Sequence, residues 1–347
     1  MKTVRTPGRL CLFGEHQDYL GLPVIAQGMP LYSFVSGEVT KGNDRRISIH
    51  LPNLDKTEYI FLDDLERNAP HTLFEAGMTV CMQAGLQYSS SIKVEVKSDI
   101  PPQAGCSSSS SIMVGWIRLL TKLADEPVKW KPREIAEAAY QAEVVILKSH
   151  GGRMDQYTTA INKLIYMESE PKLSIQYLPA IPGEFILGDS REPKDTQLHL
   201  KRNKENRVEM IQRLKKENPD FSIHRVQYGE VNEYNSLLSI KERELLSGTI
   251  RNRDILRDAH NELISSSPNY EGIGELLTEE HAILRDVLHV STPKIDHLLD
   301  VSRDAGAVGG KINGSGGGGC MFVYAPDCQH DVAKAIEKAG GRAYIFE

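Results

Sequence analysis

The sequence contains no apolar run approaching the roughly 18 residues of a membrane span. Its most apolar helix-like stretch, Ser111-Ile-Met-Val-Gly-Trp-Ile-Arg-Leu-Leu120, is short and carries Arg118. No apolar region follows the charged start Met1-Lys-Thr-Val-Arg-Thr-Pro-Gly-Arg9, so the signal-peptide pattern is not met. There is no C-x-x-C pair, and the five cysteines (Cys11, Cys81, Cys106, Cys320 and Cys328) are odd in number. That argues against a zinc site and a disulfide framework, and a reducing cytoplasm is the expected location. A large excess of one charge is also lacking: 41 Lys+Arg against 47 Asp+Glu gives a net charge of −6. With no global positive field, neither nucleic acid nor an anionic membrane is an expected partner. No internal repeat and no low-complexity linker is visible. What remains is 347 residues with 40% hydrophobic and 25% charged content, the composition of a globular chain of about two domains.

Strand-like segments are read at 4–13 (interrupted by Pro7-Gly8), 31–40, 46–51, 57–62 and 91–97. In the last of these, Ile92, Val94 and Val96 share one face. Helical spacing runs over 69–87 through Leu73, Ala76, Val80 and Ala84. The prolines at 101 and 102 make 100–105 a loop. Helices are predicted at 107–124 and 132–148. Further strands are expected at 163–168, 173–177 and 185–189. From about 196 to 301 the pattern is helical and charged. Strands at 307–312 and 320–324, a helix at 330–339 and a last strand at 342–346 complete the reading, with a domain boundary near 175–195.

The glycines cluster rather than abound. Seven of the 28 fall in Gly309-Gly-Lys-Ile-Asn-Gly-Ser-Gly-Gly-Gly-Gly319. Gly314-Ser-Gly-Gly-Gly-Gly319 fits G-x-G-x-x-G, but a dinucleotide loop needs a helix after it. Here the strand-like Cys320-Met-Phe-Val-Tyr324 follows. The Walker pattern fails because Ile312 follows Lys311. Either a flexible hairpin connection or close approach of the backbone to another surface or a ligand accounts for the cluster.

Three other segments hold polar groups at high density. In Pro101-Pro-Gln-Ala-Gly-Cys-Ser-Ser-Ser-Ser-Ser111, five serines open an apolar helix. They bring N–H groups, hydroxyls and the positive dipole end together, a combination suited to an anion, and hydroxyls can also ligate Mg²⁺. A merely capped loop is the plainer alternative. Thr6-Pro-Gly-Arg-Leu-Cys-Leu-Phe-Gly-Glu-His-Gln-Asp-Tyr-Leu-Gly21 leaves a strand and gathers Arg9, Glu15, His16, Asp18 and Tyr19. This set suits recognition of several hydroxyls, or else forms a charged surface turn. Gly151-Gly-Arg-Met-Asp-Gln156 places Asp155 at a helix start, where a carboxylate often serves only as a cap.

Together these segments resemble the GHMP kinase family of small-molecule kinases. Its second motif is similar to Pro101-Pro-Gln-Ala-Gly-Cys-Ser-Ser-Ser-Ser110, with Gln103 and Cys106 replacing a glycine and a leucine. Its third motif is similar to Lys311-Ile-Asn-Gly-Ser-Gly-Gly-Gly-Gly-Cys320. The first, 8–19, looks most like the galactokinase form, with Cys11 in place of the usual Asn. The mevalonate kinase form typically has Lys where Arg9 stands and lacks Asp-Tyr. The Met154-Asp-Gln156 segment with Ala142-Glu143 upstream also resembles galactokinases, although Arg153 replaces an isoleucine.

The resemblance implies an α+β, two-domain fold of mixed sheets with helices, and an active site in the cleft between domains. The domains are expected at 1–185 (sugar and ATP phosphate binding) and 186–347, the latter carrying the glycine loop near 309–319. The implied activity is ATP-dependent phosphorylation of a monosaccharide, most naturally at its anomeric hydroxyl. Asp155 is the implied base with Arg9 beside it to stabilise charge on the transferring group. Gly105, Ser107, Ser108, Ser109, Ser110, Gly316 and Gly317 would bind ATP, and Ser109 and Glu143 would ligate Mg²⁺. Glu15, His16, Asp18 and Gly152 would contact the sugar. A bulky side chain at Gly316 or Gly317 is then expected to weaken ATP binding more than folding. Arg153, Lys148 and His150 form an expected basic patch that would suit a uronic acid. A mevalonate-type kinase is the rival within enzymes. A non-catalytic sugar and ATP sensor acting through a partner protein is the rival outside them, and the retained serine run and Asp155 weigh against it.

Overall fold

The computed structural model describes residues 1–42, 44–192 and 196–346. The chain forms two compact units: Met1–Arg9, Gly28–Pro102 and Cys106–Asn162 make unit 1, and Leu10–Gln27, Gln103–Gly105 and Lys163–Glu347 make unit 2. This differs from the expected division at 185/186. Strand pairing is the reason: Val24, Ile25 and Ala26 pair with Met167, Tyr166 and Ile165, so the segment after Asn162 stays with the early part of the chain in unit 2.

Strands β1 (Lys2–Phe13) and β2 (Val24–Thr40) contribute residues to both units. In unit 1, β2 runs antiparallel to β5 (Ser91–Ser98), which runs parallel to β3 (Arg46–Leu51). β3 in turn pairs antiparallel with the edge strand β4 (Lys56–Phe61). The period-two pattern of β5 is realised: Ile92, Val94 and Val96 are buried and Lys93 and Lys97 are exposed. After the short α1 (Leu62–Leu65), the helices α2 (Leu73–Gln83), α3 (Ser108–Leu123), α4 (Pro132–Tyr140) and α5 (Met154–Ile161) complete the unit. α2 opens with a capping box between Thr72 and Glu75. Helix α3 is the core element. Its Trp116 is fully buried, donates Nε1–H to the Phe74 carbonyl at 3.0 Å and meets the Phe74 ring edge-on at 5.6 Å.

Two elements depart from the sequence reading. β2 begins at Val24 rather than at 31, because pairing with the following strands overrides the breaks at Gly28 and Pro30. The helix expected over 132–148 is α4 followed by a π-helical turn, Gln141–Ile146. Such a turn is frequent at functional sites, and this one carries Glu143.

Unit 2 holds β6 (Ile165–Glu168) and β7 (Ser174–Tyr177), and a second sheet ordered β11-β8-β10-β9. Its strands are β8 (Phe185–Asp189), β9 (Gly309–Ile312), β10 (Cys320–Tyr324) and β11 (Arg342–Ile345). The expected helical stretch resolves into α6 (Thr196–Glu217), a 3₁₀ segment Tyr228–Tyr234, α7 (Ile240–Leu263), α8 (Tyr270–Asp286) and α9 (Pro293–Asp304). α10 (Gln329–Lys338) follows. One apolar cluster joins Ile186, Met321 and Val323 to Leu298 of α9 and Ile336 of α10. A second joins Leu214 of α6 to Leu246 and Ile250 of α7. Among the described residues no helix is long and apolar enough to cross a membrane.

Candidate active site

In unit 1 the site is organised by the close passage of β1 beneath the loop that enters α3. A Cβ at Gly8 would stand 2.7 Å from the Cys106 carbonyl oxygen, and the Arg9 N–H donates to that oxygen at 3.2 Å. Only glycine admits this approach. The next side chain, Arg9, is 4% exposed and its Nε donates to Asp155 Oδ1 at 2.7 Å. Asp155 is the second residue of α5 and keeps 32% of its side chain exposed. Sequence positions 9 and 155 therefore meet as the resemblance implied, with the carboxylate open to a reactant.

The serine run does not act as a uniform strip. Ser107 is the N-cap of α3 but has left-handed backbone (φ +57°), and its side chain makes no capping bond. The first-turn N–H groups of α3 therefore keep no side-chain cap, the arrangement that suits a phosphate. Ser109 is exposed and Ser110 buried, and their hydroxyls donate to Glu143 Oε1 and Oε2, each at 2.6 Å. Ser111 faces inward and exchanges hydrogen bonds with Thr6 of β1, which ties the helix start to the strand. Gln156 Nε2 adds a bond to Glu143 Oε2 at 2.7 Å. Burial pushes the Glu143 carboxyl up, and the three donors partly offset this.

Among the described residues no cluster of three or more His, Cys, Asp or Glu side chains stands ready for a metal ion. Mg²⁺ does not need one, since it keeps waters and binds through one or two carboxylates plus phosphate oxygens. Ser109 and Glu143 are juxtaposed oxygen donors, and a cation beside them would relieve the cost of the desolvated carboxylate, so the pair fits the group. Gly152 sits half-buried in the turn before α5. The expected basic patch loses its central charge: Arg153 pairs with Glu137 at 3.4 Å and lies over the Tyr140 ring at 4.0 Å. The cation invoked to read a uronate therefore already has a carboxylate partner.

In unit 2 the glycine cluster is the β9–β10 hairpin connection, closed by Asn313 N–H to Cys320 O at 2.9 Å. It is no slack turn. Gly314 has φ +80°, and a Cβ there would lie 2.5 Å from the Gly105 carbonyl oxygen. Gly316, with φ +78°, would place a Cβ 2.4 Å from Val290 O. Gly317 N–H donates to that same oxygen at 2.7 Å. Close backbone approach is therefore the reason for the glycines, and a side chain at Gly316 is expected to strain the fold in addition to any effect on ATP binding. The Gly105 carbonyl accepts from Asn313 Nδ2 at 3.1 Å.

The expected hydroxyl-reading residues are mostly turned inward. Glu15 is 3% exposed, and its Oε2 accepts from Gly314 N–H at 2.7 Å and Lys311 Nζ at 3.4 Å. His16, also buried, contacts the Ser315 carbonyl through Nε2 and the Tyr19 hydroxyl through Nδ1, each at 3.2 Å. A carbonyl only accepts, so Nε2 carries the proton and Nδ1 receives the Tyr19 O–H. Burial lowers the His16 pKa to about 3, which keeps this neutral tautomer. Arg207 of α6 donates to the Tyr19 oxygen and, at 2.5 Å, to the His16 carbonyl. Asp18 is the half-buried member of the expected trio, with Oδ1 accepting from Tyr19 N–H at 2.9 Å.

Several contributors were not assigned from sequence. Gln156 adjoins Asp155 and Lys311 opens the glycine motif, so both stood within recognised segments. Arg207 and Glu280 had no local signal, being charged residues in a charged helical stretch.

With this geometry in place, two family models match the chain: GHMP kinases N terminal domain over 73–163 and GHMP kinases C terminal over 261–343. The fold is accordingly the two-domain, α+β kinase fold of mixed sheets and helices. The chain belongs to the GHMP kinase family. It is 28% identical to the mevalonate kinase of Pyrococcus furiosus, across all of this chain and 96% of that protein. It is also 28% identical to the galactokinase of Thermotoga petrophila, across 92% of this chain and 88% of that one. The Lactococcus lactis galactokinase complexed with galactose superposes with a TM-score of 0.83 at 18% identity, covering 99% of this chain and 92% of the other. The Methanococcus jannaschii mevalonate kinase gives 0.75 at 20%, covering 99% and 97%.

Proposed function

We propose that this protein is an ATP-dependent kinase that transfers a phosphoryl group to a hydroxyl of a small molecule. The observation that carries the reading is the Arg9–Asp155 pair at 2.7 Å, in the same unit as an α3 N-terminus with no side-chain cap. Phosphoryl transfer asks chiefly for positioning and charge neutralisation. Asp155, partly exposed, takes the proton of the attacking hydroxyl, and Arg9 fixes the carboxylate and offsets charge building on the transferring group. The first-turn N–H groups of Ser108, Ser109 and Ser110 hold ATP phosphate oxygens. Ser109 and Glu143 would hold Mg²⁺, which would supply neutralisation of the phosphate charge.

For the acceptor, we place mevalonate first. Relatives named mevalonate kinase match at 26–29% identity over 96–100% of the chain, which moves it ahead of the sugar favoured by the motifs alone. A sugar is the second reading, supported by the Asp18-Tyr19 and Met154-Asp155-Gln156 segments and by the galactokinase relative. ATP consumption by the purified protein with Mg²⁺, against mevalonate, galactose, N-acetylgalactosamine, arabinose and galacturonate, tests both. Turnover with mevalonate is the expected result. Turnover confined to a neutral sugar moves the acceptor to the second reading, and no ATP consumption with any small alcohol rejects the kinase.

A further inference from the structure

Glu280 lies in the middle of α8, outside every motif, and is 0% exposed. A carboxylate so enclosed touches no reactant. Its Oε1 accepts two consecutive backbone N–H groups, from Gly14 at 3.1 Å and Glu15 at 3.0 Å. Gly14 has φ +85°, the conformation that turns successive N–H groups to one side. The neighbouring residue of the same helix acts on the other loop: His281 Nδ1 accepts from Ile312 N–H at 3.3 Å, and its Nε2 contacts Asp296 at 3.1 Å. Between the two runs Lys311, also 0% exposed, which donates to the Cys11 carbonyl at 2.9 Å and to Glu15 Oε2. Glu15 then holds Gly314 N–H, and Asn252 Nδ2 holds the Glu15 carbonyl at 3.1 Å. Apart from the Lys311–Glu15 and His281–Asp296 side-chain contacts, each link ends on backbone of either 11–16 or 311–314.

We propose that Glu280 is a positioning residue: it holds the 14–19 loop, which carries His16, Asp18 and Tyr19, in register with the glycine loop after β9. The functional meaning rests on the kinase reading, in which these loops flank the reactants. Lys311 and Glu15 are the charged groups that face Glu280. Burial raises the Glu280 carboxyl to about 7, and Lys311 opposes that rise, so reach rather than full charge is what the clamp requires.

The test compares wild type with Glu280→Gln and Glu280→Asp. Gln keeps an oxygen at the same reach. Asp keeps the charge but withdraws the oxygens by about 1.5 Å, beyond hydrogen-bond range. Two readouts are taken: acceptor KM and kcat, and hydrogen exchange at Gly14 and Glu15. For Glu280→Asp, acceptor KM should rise about tenfold with kcat within about threefold, and exchange should quicken about tenfold. Glu280→Gln should stay within about twofold of wild type in all three. Glu280→Gln as impaired as Glu280→Asp would overturn the proposal, because charge would then matter and reach would not. Unchanged KM and exchange in Glu280→Asp would overturn it as well. If Glu280→Asp does not fold, Glu280→Gln decides alone: a tenfold change in exchange or KM refutes the clamp. Exchange needs no turnover, so a wild-type protein inactive on every acceptor counts against the kinase reading only.

Discussion

Asp155 in unit 1 keeps 32% of its side chain exposed and Ser109 is exposed, whereas Lys311, Glu280 and Glu15 in unit 2 are 0%, 0% and 3% exposed. Both regions are built from carboxylates and cations with hydrogen-bonding neighbours, yet they can do different things. An open carboxylate can take a proton from a reactant. A sealed one can act only through the backbone it holds. We therefore propose chemistry for the unit 1 groups and geometry for the unit 2 groups. Substitutions should separate the two, since the first set should reduce turnover with little cost in stability and the second should do the reverse.

Lys311→Met should have the largest effect. It leaves two buried carboxylates without their cation, a loss of about 3–5 kcal/mol, read as a lowered urea midpoint. A midpoint within error of wild type would erase the distinction between the regions. Arg9→Met should lower kcat by about 10²–10³, the scale for removing a donor that stabilises developing charge. Its melting temperature should move much less than that of Lys311→Met, and the reverse ranking would merge the two regions. Gly316→Ala should cost about 1–3 kcal/mol, because its φ of +78° strains any other residue. The contact with Val290 O adds to that, and an unaltered melt would show the loop to be slack after all.

The last effect is one of pH. Glu280 titrates near 7 in the folded protein and at the ordinary 4.5 when unfolded. The folded state therefore keeps a proton that the unfolded chain releases, and wild-type stability falls as pH rises from about 4.5 to about 7. Glu280→Gln lacks this titration, so the stability difference between wild type and variant should decline across that window and level off above it. His16 works in the opposite sense: with its pKa lowered from 6.5 to about 3, stability is lost as pH falls through that range. His16 is present in both proteins and cancels from the difference. A difference that does not vary with pH would show that Glu280 titrates normally.

The unit 1 constellation was far more legible in the sequence than the sealed one in unit 2. Asp155, the serine run and the Gly8-Arg9 passage lie in short segments whose residue types state their chemistry locally. The strands of alternating pattern, such as β5, and the apolar α3 were equally plain. Glu280 reads as a solvated face until the fold encloses α8, and Glu15 reads as a ligand contact until Lys311 closes on it. The π-helical turn at Glu143 was invisible because helical periodicity continues through it. The early half of β2 was hidden by Gly28 and Pro30, and its pairing with β6 moved the division between the units. For Glu280, Glu15 and β2 the missing information was a long-range contact.

The most direct test of the assignment of chemistry to unit 1 is turnover by Asp155→Asn, with ATP binding and melting temperature measured on the same protein. The substitution keeps the shape of the side chain and removes its ability to take a proton. The expected result is a folded variant that binds ATP as wild type does and loses kcat by about 10²–10⁴. Turnover near that of wild type would contradict it.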